Sequence, residues 1–180
     1  MFRAETRVRG MFHRVKKMVE SSVKNGLTDA LFALLADGLT KAGYHGYYFS
    51  KTGTSPYCDK KGAFRCQSAW NVKRCPRRSV IFPLRNYRQR IELTNWQFEH
   101  TITIKDISAF IIKWAEKMPE GKHFSWPHFY QMLFHPSYVM FVERGCHEGG
   151  QKGRIGLNYD LAIIDDDFEV EFNVREHARA

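Results

Sequence analysis

The chain has 180 residues, of which 43% are hydrophobic, 14% aromatic and 26% charged, and its formal net charge is +9. That length supports one ordinary domain with a real core, and the composition excludes a disordered chain. No apolar run approaches the roughly 20 residues of a membrane-spanning helix. No apolar stretch of a secretory signal follows the basic start.

The charge falls in blocks. Residues 1–25 carry seven basic and two acidic side chains, and residues 51–92 carry eleven basic and two acidic. Residues 155–180 reverse the balance, with two basic and seven acidic. Blocks of this kind suit polyanions, anionic lipid headgroups or acidic protein partners, and they say nothing about the fold.

Val8, Phe12, Val15, Val19 and Val23 recur at three- and four-residue steps, which predicts an amphipathic helix. Its Arg-rich, acid-poor start, MFRAETRVRGMFHRVKKM, also fits a mitochondrial targeting segment, against the ordinary alternative of a basic helix within the fold. Residues 1–25 are therefore set apart from a domain spanning 26–180. Asn25–Gly26 reads as a helix stop, and Thr28 as the N-cap of a second helix with Leu31, Leu34, Leu35 and Leu39 on one stripe.

YHGYYF at 44–49 predicts a strand, and SVIF at 79–82 another. Alternating runs on either side of Thr94–Trp96 predict a hairpin. Ile107, Phe110, Ile111, Trp114 and Met118 return to helical spacing behind a Thr103–Asp106 capping box. WPHFYQMLF at 126–134 predicts a short helix after Ser125, and SYVMFV a strand. ERGCHEGGQKGR reads as a Gly-rich loop, and IGLNYDLAII and FEVEFNV as an acidic hairpin turning at Asp165–Asp167. The expected class is α+β: a single domain with a mainly antiparallel sheet and about four helices packed on one face.

Three constellations carry possible chemistry. Cys58, Cys66, Cys75 and Cys146 are the candidate metal ligands, but the first three have seven and eight residues between them. Structural zinc sites usually hold a tighter pair, with two to four residues between. Reduced thiols and no cofactor are the expectation, with zinc or a disulfide as alternatives. Cys146–His147 offers a further ligand pair, although neighbouring residues seldom serve one ion.

The second constellation is a basic and aromatic stretch: Arg65, Trp70, Lys73, Arg74, Arg77, Arg78, Arg85, Tyr87, Arg88 and Arg90. Guanidinium groups bind phosphate in bidentate fashion, and aromatic rings stack on bases. The same composition also suits an Arg-anchored protein interface. No nucleic-acid-binding motif of recognisable spacing accompanies it.

The third is the acidic end, with Asp160, Asp165, Asp166, Asp167, Glu169 and Glu171. A metal-dependent nuclease wants clustered carboxylates, but a solvated edge strand wants them equally. His123, His128 and His135 lie among aromatic residues with no nucleophile motif nearby, so they read as packed or hydrogen-bonded.

The function expected on these terms is a non-catalytic basic subunit of a larger assembly, an organellar complex or a ribonucleoprotein. Its partners would be other protein subunits, with RNA or anionic lipid headgroups as further candidates. Its compartment would be mitochondrial or another organelle, otherwise cytoplasmic. The alternatives are an independent nucleic-acid-binding regulator, such as a phage- or plasmid-borne factor, and a zinc- or magnesium-dependent enzyme such as a nuclease.

Overall fold

The computed structural model describes residues 4–49, 59–61, 63–67, 75, 80–81, 96–149, 156–168 and 172–174. Four helices of nine or more residues make the frame: α1 (Ala4–Glu20), α2 (Gly26–Lys41), α4 (Ile104–Ala115) and α5 (Trp126–Phe134). Shorter helices are α3 (Gly46–Phe49), α6 (Arg144–Gly149) and α7 (Tyr159–Ala162). The α+β class is as expected. The described strands form three separate antiparallel pairs rather than one sheet: β1 (Phe64–Arg65) with β2 (Val80–Ile81), β3 (Trp96–His100) with β5 (Val139–Glu143), and β4 (Lys122–Phe124) with β6 (Ile163–Asp165).

The helical stripes meet in one core. Val8, Val15 and Val19 of α1, Leu35 and Leu39 of α2, Ile107 and Ile111 of α4, and Phe129, Leu133 and Phe134 of α5 are all buried. Fully burying each aliphatic or aromatic side chain is worth about 1.5–3 kcal/mol. The basic N-terminal helix thus contributes its apolar face to the same core as the rest, and among the described residues no helix is long and apolar enough to cross a membrane.

Two local expectations change. Asn25, not Thr28, caps α2: its side chain accepts from Thr28 N at 3.1 Å, while Thr28 Oγ1 accepts from Asn25 N at 3.3 Å. Asn25 Nδ2 also donates to Ala115 O at 2.8 Å, which ties the start of α2 to the end of α4. A threonine three residues inside the helix completes a reciprocal box, a pattern whose two ends look alike in sequence.

YHGYYF is not a strand. Gly43, Tyr44 and His45 take φ values of 57°, 55° and 48°, and the chain continues into α3. Left-handed backbone costs non-glycine residues energy, so tertiary contacts must hold it. Arg9 sits 4.4 Å from the Tyr44 ring centroid, and His45 Nε2 hydrogen-bonds Tyr130 Oη at 2.7 Å. Gly38, inside α2, has a steric reason. A Cβ there would lie 2.9 Å from the Tyr130 ring.

The acidic hairpin is also replaced. Residue pairing for β6 comes from β4, and Asp165 and Asp166 reach Lys122 Nζ at 2.8 Å and His123 Nδ1 at 2.9 Å. The segment expected as the first arm holds α7, and Phe172 and Asn173 are not in a strand. The Gly-rich segment after Glu143 begins as α6.

Candidate active site and thiol cluster

The β3–β5 pair runs directly into α6, and the functional side chains lie around that junction. The register pairs Trp96 with Glu143 and His100 with Val139, so the two strands are matched along all five residues of β3. Glu99 and His100 end β3, and His147 stands on α6. All three border one cavity of about 950 Å³, together with Arg7, Arg14 and Lys105.

His100 is held in a defined state. Its Nε2 lies 2.9 Å from Leu133 O. A carbonyl only accepts, so Nε2 carries the proton and Nδ1 is left as the basic nitrogen. Burial pushes the imidazole pKa down to about 4; the Leu133 bond opposes this, and the charges of Arg14 and His147 add to it. The ring is therefore neutral at neutral pH, as a general base must be. Glu99 is a carboxylate only 3% exposed, in a place where an aliphatic residue would be the ordinary choice.

On the other side of the junction three thiols converge. The Sγ atoms of Cys66, Cys75 and Cys146 all lie within 4.8 Å of one another, and Cys75 and Cys146 are 3.5 Å apart. Thiolates bound to one tetrahedral zinc at 2.3 Å would stand about 3.8 Å apart, so the cluster fits such an ion. Glu143 N donates to Cys66 Sγ at 3.3 Å, the kind of backbone bond that orients a thiolate ligand. Burial, and then the hydrogen bonds of its own S–H to Cys75 and Cys66, push the Cys146 thiol up to about 12. A bound cation would reverse that preference and favour the thiolates.

The wide spacing of these cysteines does not matter, because strand pairing closes the distances. Gln67 N donates to Phe141 O at 3.2 Å and Gln67 Oε1 accepts from Phe141 N, which docks the chain after β1 onto β5. Cys146 and His147 are neighbours that serve different places, one facing the thiols and the other the cavity. Successive helical residues point about 100° apart, which permits this.

Of the basic and aromatic candidates, Arg65 is described and exposed on β1. Trp70, Lys73, Arg74, Arg77, Arg78, Arg85, Tyr87, Arg88 and Arg90 lie outside the described residues, as do Cys58, Glu169 and Glu171. Asp160 and Asp165 border a second cavity of about 500 Å³, away from Glu99 and His147. The sequence reading missed Glu99 and His100, which it took as strand residues. Their one signal was an acid–histidine pair ending a strand, paralleled by Cys146–His147.

A buried carboxylate, a neutral histidine and a second histidine around one cavity are what a hydrolytic centre for phosphate esters is made from. Residues 1–161 match the DNA fragmentation factor 40 kDa (DFF40) family, and the chain belongs to that family. The rat DNA fragmentation factor subunit beta is 26% identical over 152 residues, covering 82% of this chain and 43% of its own length. The human protein of the same name is 26% identical over 151 residues, covering 82% and 45%. The chain thus spans under half the length of these curated relatives. The crystal structure of caspase-activated DNase (CAD) superposes with a TM-score of 0.73 at 23% identity, covering 88% of this chain and 66% of that one, which shows the shared fold.

Family membership overturns the expectation of a non-catalytic, RNA-binding structural subunit of a mitochondrial assembly. Charge blocks and aromatic content misled there because they describe surfaces. The polar groups that border the cavity are few, and they are drawn from separate elements.

Proposed function

We propose that this chain is the nuclease domain of a DNA-fragmenting enzyme that hydrolyses phosphodiester bonds with the help of a divalent cation. The observation that carries the reading is the convergence of Glu99, His100 and His147 on one cavity with a basic rim. The relatives' names, which specify DNA fragmentation, supply the substrate class.

In this reading Glu99 and His147 hold the cation, an oxygen and nitrogen donor pair that suits Mg²⁺ or a transition metal. When bound, the ion supplies charge neutralisation at the phosphate. His100 Nδ1 takes a proton from the attacking water. The water oxygen bonds phosphorus and the bridging P–O bond breaks. The released oxygen takes up a proton, leaving a phosphate monoester and an alcohol. The Leu133 carbonyl keeps the His100 tautomer fixed through the cycle.

Cys66, Cys75 and Cys146 hold a structural zinc that fixes the start of α6 and hence the place of His147. The relatives are named as a subunit, so a protein partner belongs to the same reading.

Cleavage of a labelled DNA duplex with added Mg²⁺ tests this reading. His100→Ala and His147→Ala are expected to lower the rate by at least about 100-fold, the usual worth of a positioned general base. Full activity in either variant would refute it.

A further inference from the structure

Three cations border the cavity, and they are not equivalent. Arg7 already donates Nη1 to Phe49 O at 2.6 Å, which ties α1 to α3. Lys105 is exposed at the first turn of α4. Arg14 lies seven residues beyond Arg7 on α1, two turns along the same face. It is exposed, and among the described residues no hydrogen bond or ion pair engages its guanidinium. Its backbone is nonetheless fixed, because Phe12 and Val15 on either side are buried in the core. Of the three cations, Arg14 is the one whose charge is felt at the buried His100 ring. An unengaged guanidinium on a rigid helix, bordering the same cavity as the proposed base, is placed for an anion that arrives with the substrate.

We propose that Arg14 is a catalytic residue of the hydrolysis, clamping the non-bridging oxygens of the phosphate under attack. The inference rests on the nuclease reading above and deepens it. Guanidinium offers two parallel N–H donors to a phosphate and stays charged at every working pH. Negative charge on the non-bridging oxygens is redistributed as the water oxygen bonds phosphorus and the bridging bond breaks. A donor fixed in advance at that position lowers the barrier more than it strengthens ground-state binding. Arg14 itself makes and breaks no covalent bond. Lys105, a point charge at the edge of the cavity, is placed to hold the DNA backbone instead.

The test is steady-state cleavage of a labelled duplex by the purified protein with Mg²⁺, comparing Arg14→Ala, Arg14→Lys, Lys105→Ala and His100→Ala. Arg14→Ala is expected to lower kcat about 100-fold, the usual cost of one transition-state donor, with KM changed by less than about threefold. Arg14→Lys retains an intermediate rate, and free guanidinium ion restores part of the Arg14→Ala rate. Lys105→Ala shows the opposite split, with the larger change in KM. The melting temperature of Arg14→Ala stays that of the unaltered protein, because an exposed side chain leaves no cavity; if that variant does not fold, the Lys variant reads a smaller loss that is likewise confined to kcat.

An Arg14→Ala kcat within about twofold of the unaltered protein would overturn the proposal. So would a loss confined to KM, or a Lys variant as poor as Ala with no response to guanidinium. His100→Ala separates the two readings. If it cleaves normally, the nuclease assignment itself fails. If it is inactive while Arg14→Ala is normal, only the Arg14 role fails.

Discussion

The helical core and the small cluster behind β3 and β5 are held together on different terms. The core is formed by stripes from α1, α2, α4 and α5, each recognisable from its own periodicity, and it buries aliphatic and aromatic side chains from the whole length of the frame. Among the described residues, the small cluster has Phe64, Cys66, Trp96, Phe141, Val142 and Cys146 as its buried members, with Cys75, Phe98 and Met140 packed against it. Its aromatic contacts are close, with Phe64 and Trp96 ring centroids 4.8 Å apart. Both functional groups of α6 hang from it. The difference teaches that, among the described residues, the cluster beside the candidate site draws on a few aromatic side chains and three converging thiols rather than on helical stripes.

The largest expected effect separates the two regions. Cys146→Ser should reduce bound zinc to background in elemental analysis and lower DNA cleavage by about 10–100-fold or more, while the far-UV helical signal persists. Retained zinc with unchanged cleavage would show that the thiols are inert. Next, Phe129→Ala should cost about 3–5 kcal/mol in denaturant unfolding, the usual range for an aromatic removed from a close-packed core. Zinc content per folded molecule should stay constant. Coupled loss of zinc would mean that the two regions unfold as one.

The third test concerns acid. Burial, and then the neighbouring His135, lower the pKa of His45 to about 4 from an ordinary 6.5. Its Nε2 is engaged by Tyr130, and its Nδ1 has no hydrogen-bond partner among the described residues. The unfolded chain takes up this proton first as pH falls, so the stability is complete above about 6.5 and is lost between there and about 4. The loss is on the order of 3 kcal/mol at about 1.4 kcal/mol per pH unit. Urea midpoints across that window should fall in the unaltered protein and fall less in His45→Asn.

The smallest effect belongs to the exposed pairs of β4 and β6. Asp166→Asn removes the contact with His123 and should change stability by less than about 1 kcal/mol, as surface ion pairs do. A larger loss would mean that β6 holds the frame together more than its exposure implies.

Where the sequence reading and the structure agree, short-range physics decides. Thr103 accepts from Asp106 N at 2.9 Å, as its capping pattern predicts. α4 and α5 lie where their spacing puts them, because a helix stripe needs only neighbours three and four residues away. Where they differ, the deciding contact is distant. The Tyr44–His45 turn is held by Tyr130, 85 residues from His45. The strand expected as an arm of an acidic hairpin pairs instead with β4, about 40 positions earlier. The cysteine spacing counted against a metal because it was judged along the chain.

The sequence by itself determined the four main helices, the α+β class and the apolar faces that make one core, since all of these follow from local periodicity. Only the tertiary structure decided that Cys66 and Cys75 meet Cys146, and that Glu99, His100, His147 and Arg14 border one cavity. Those meetings depend on the β3–β5 pairing and on the packing of α1, which bring together residues more than 45 positions apart. No pattern along the chain encodes such a distance.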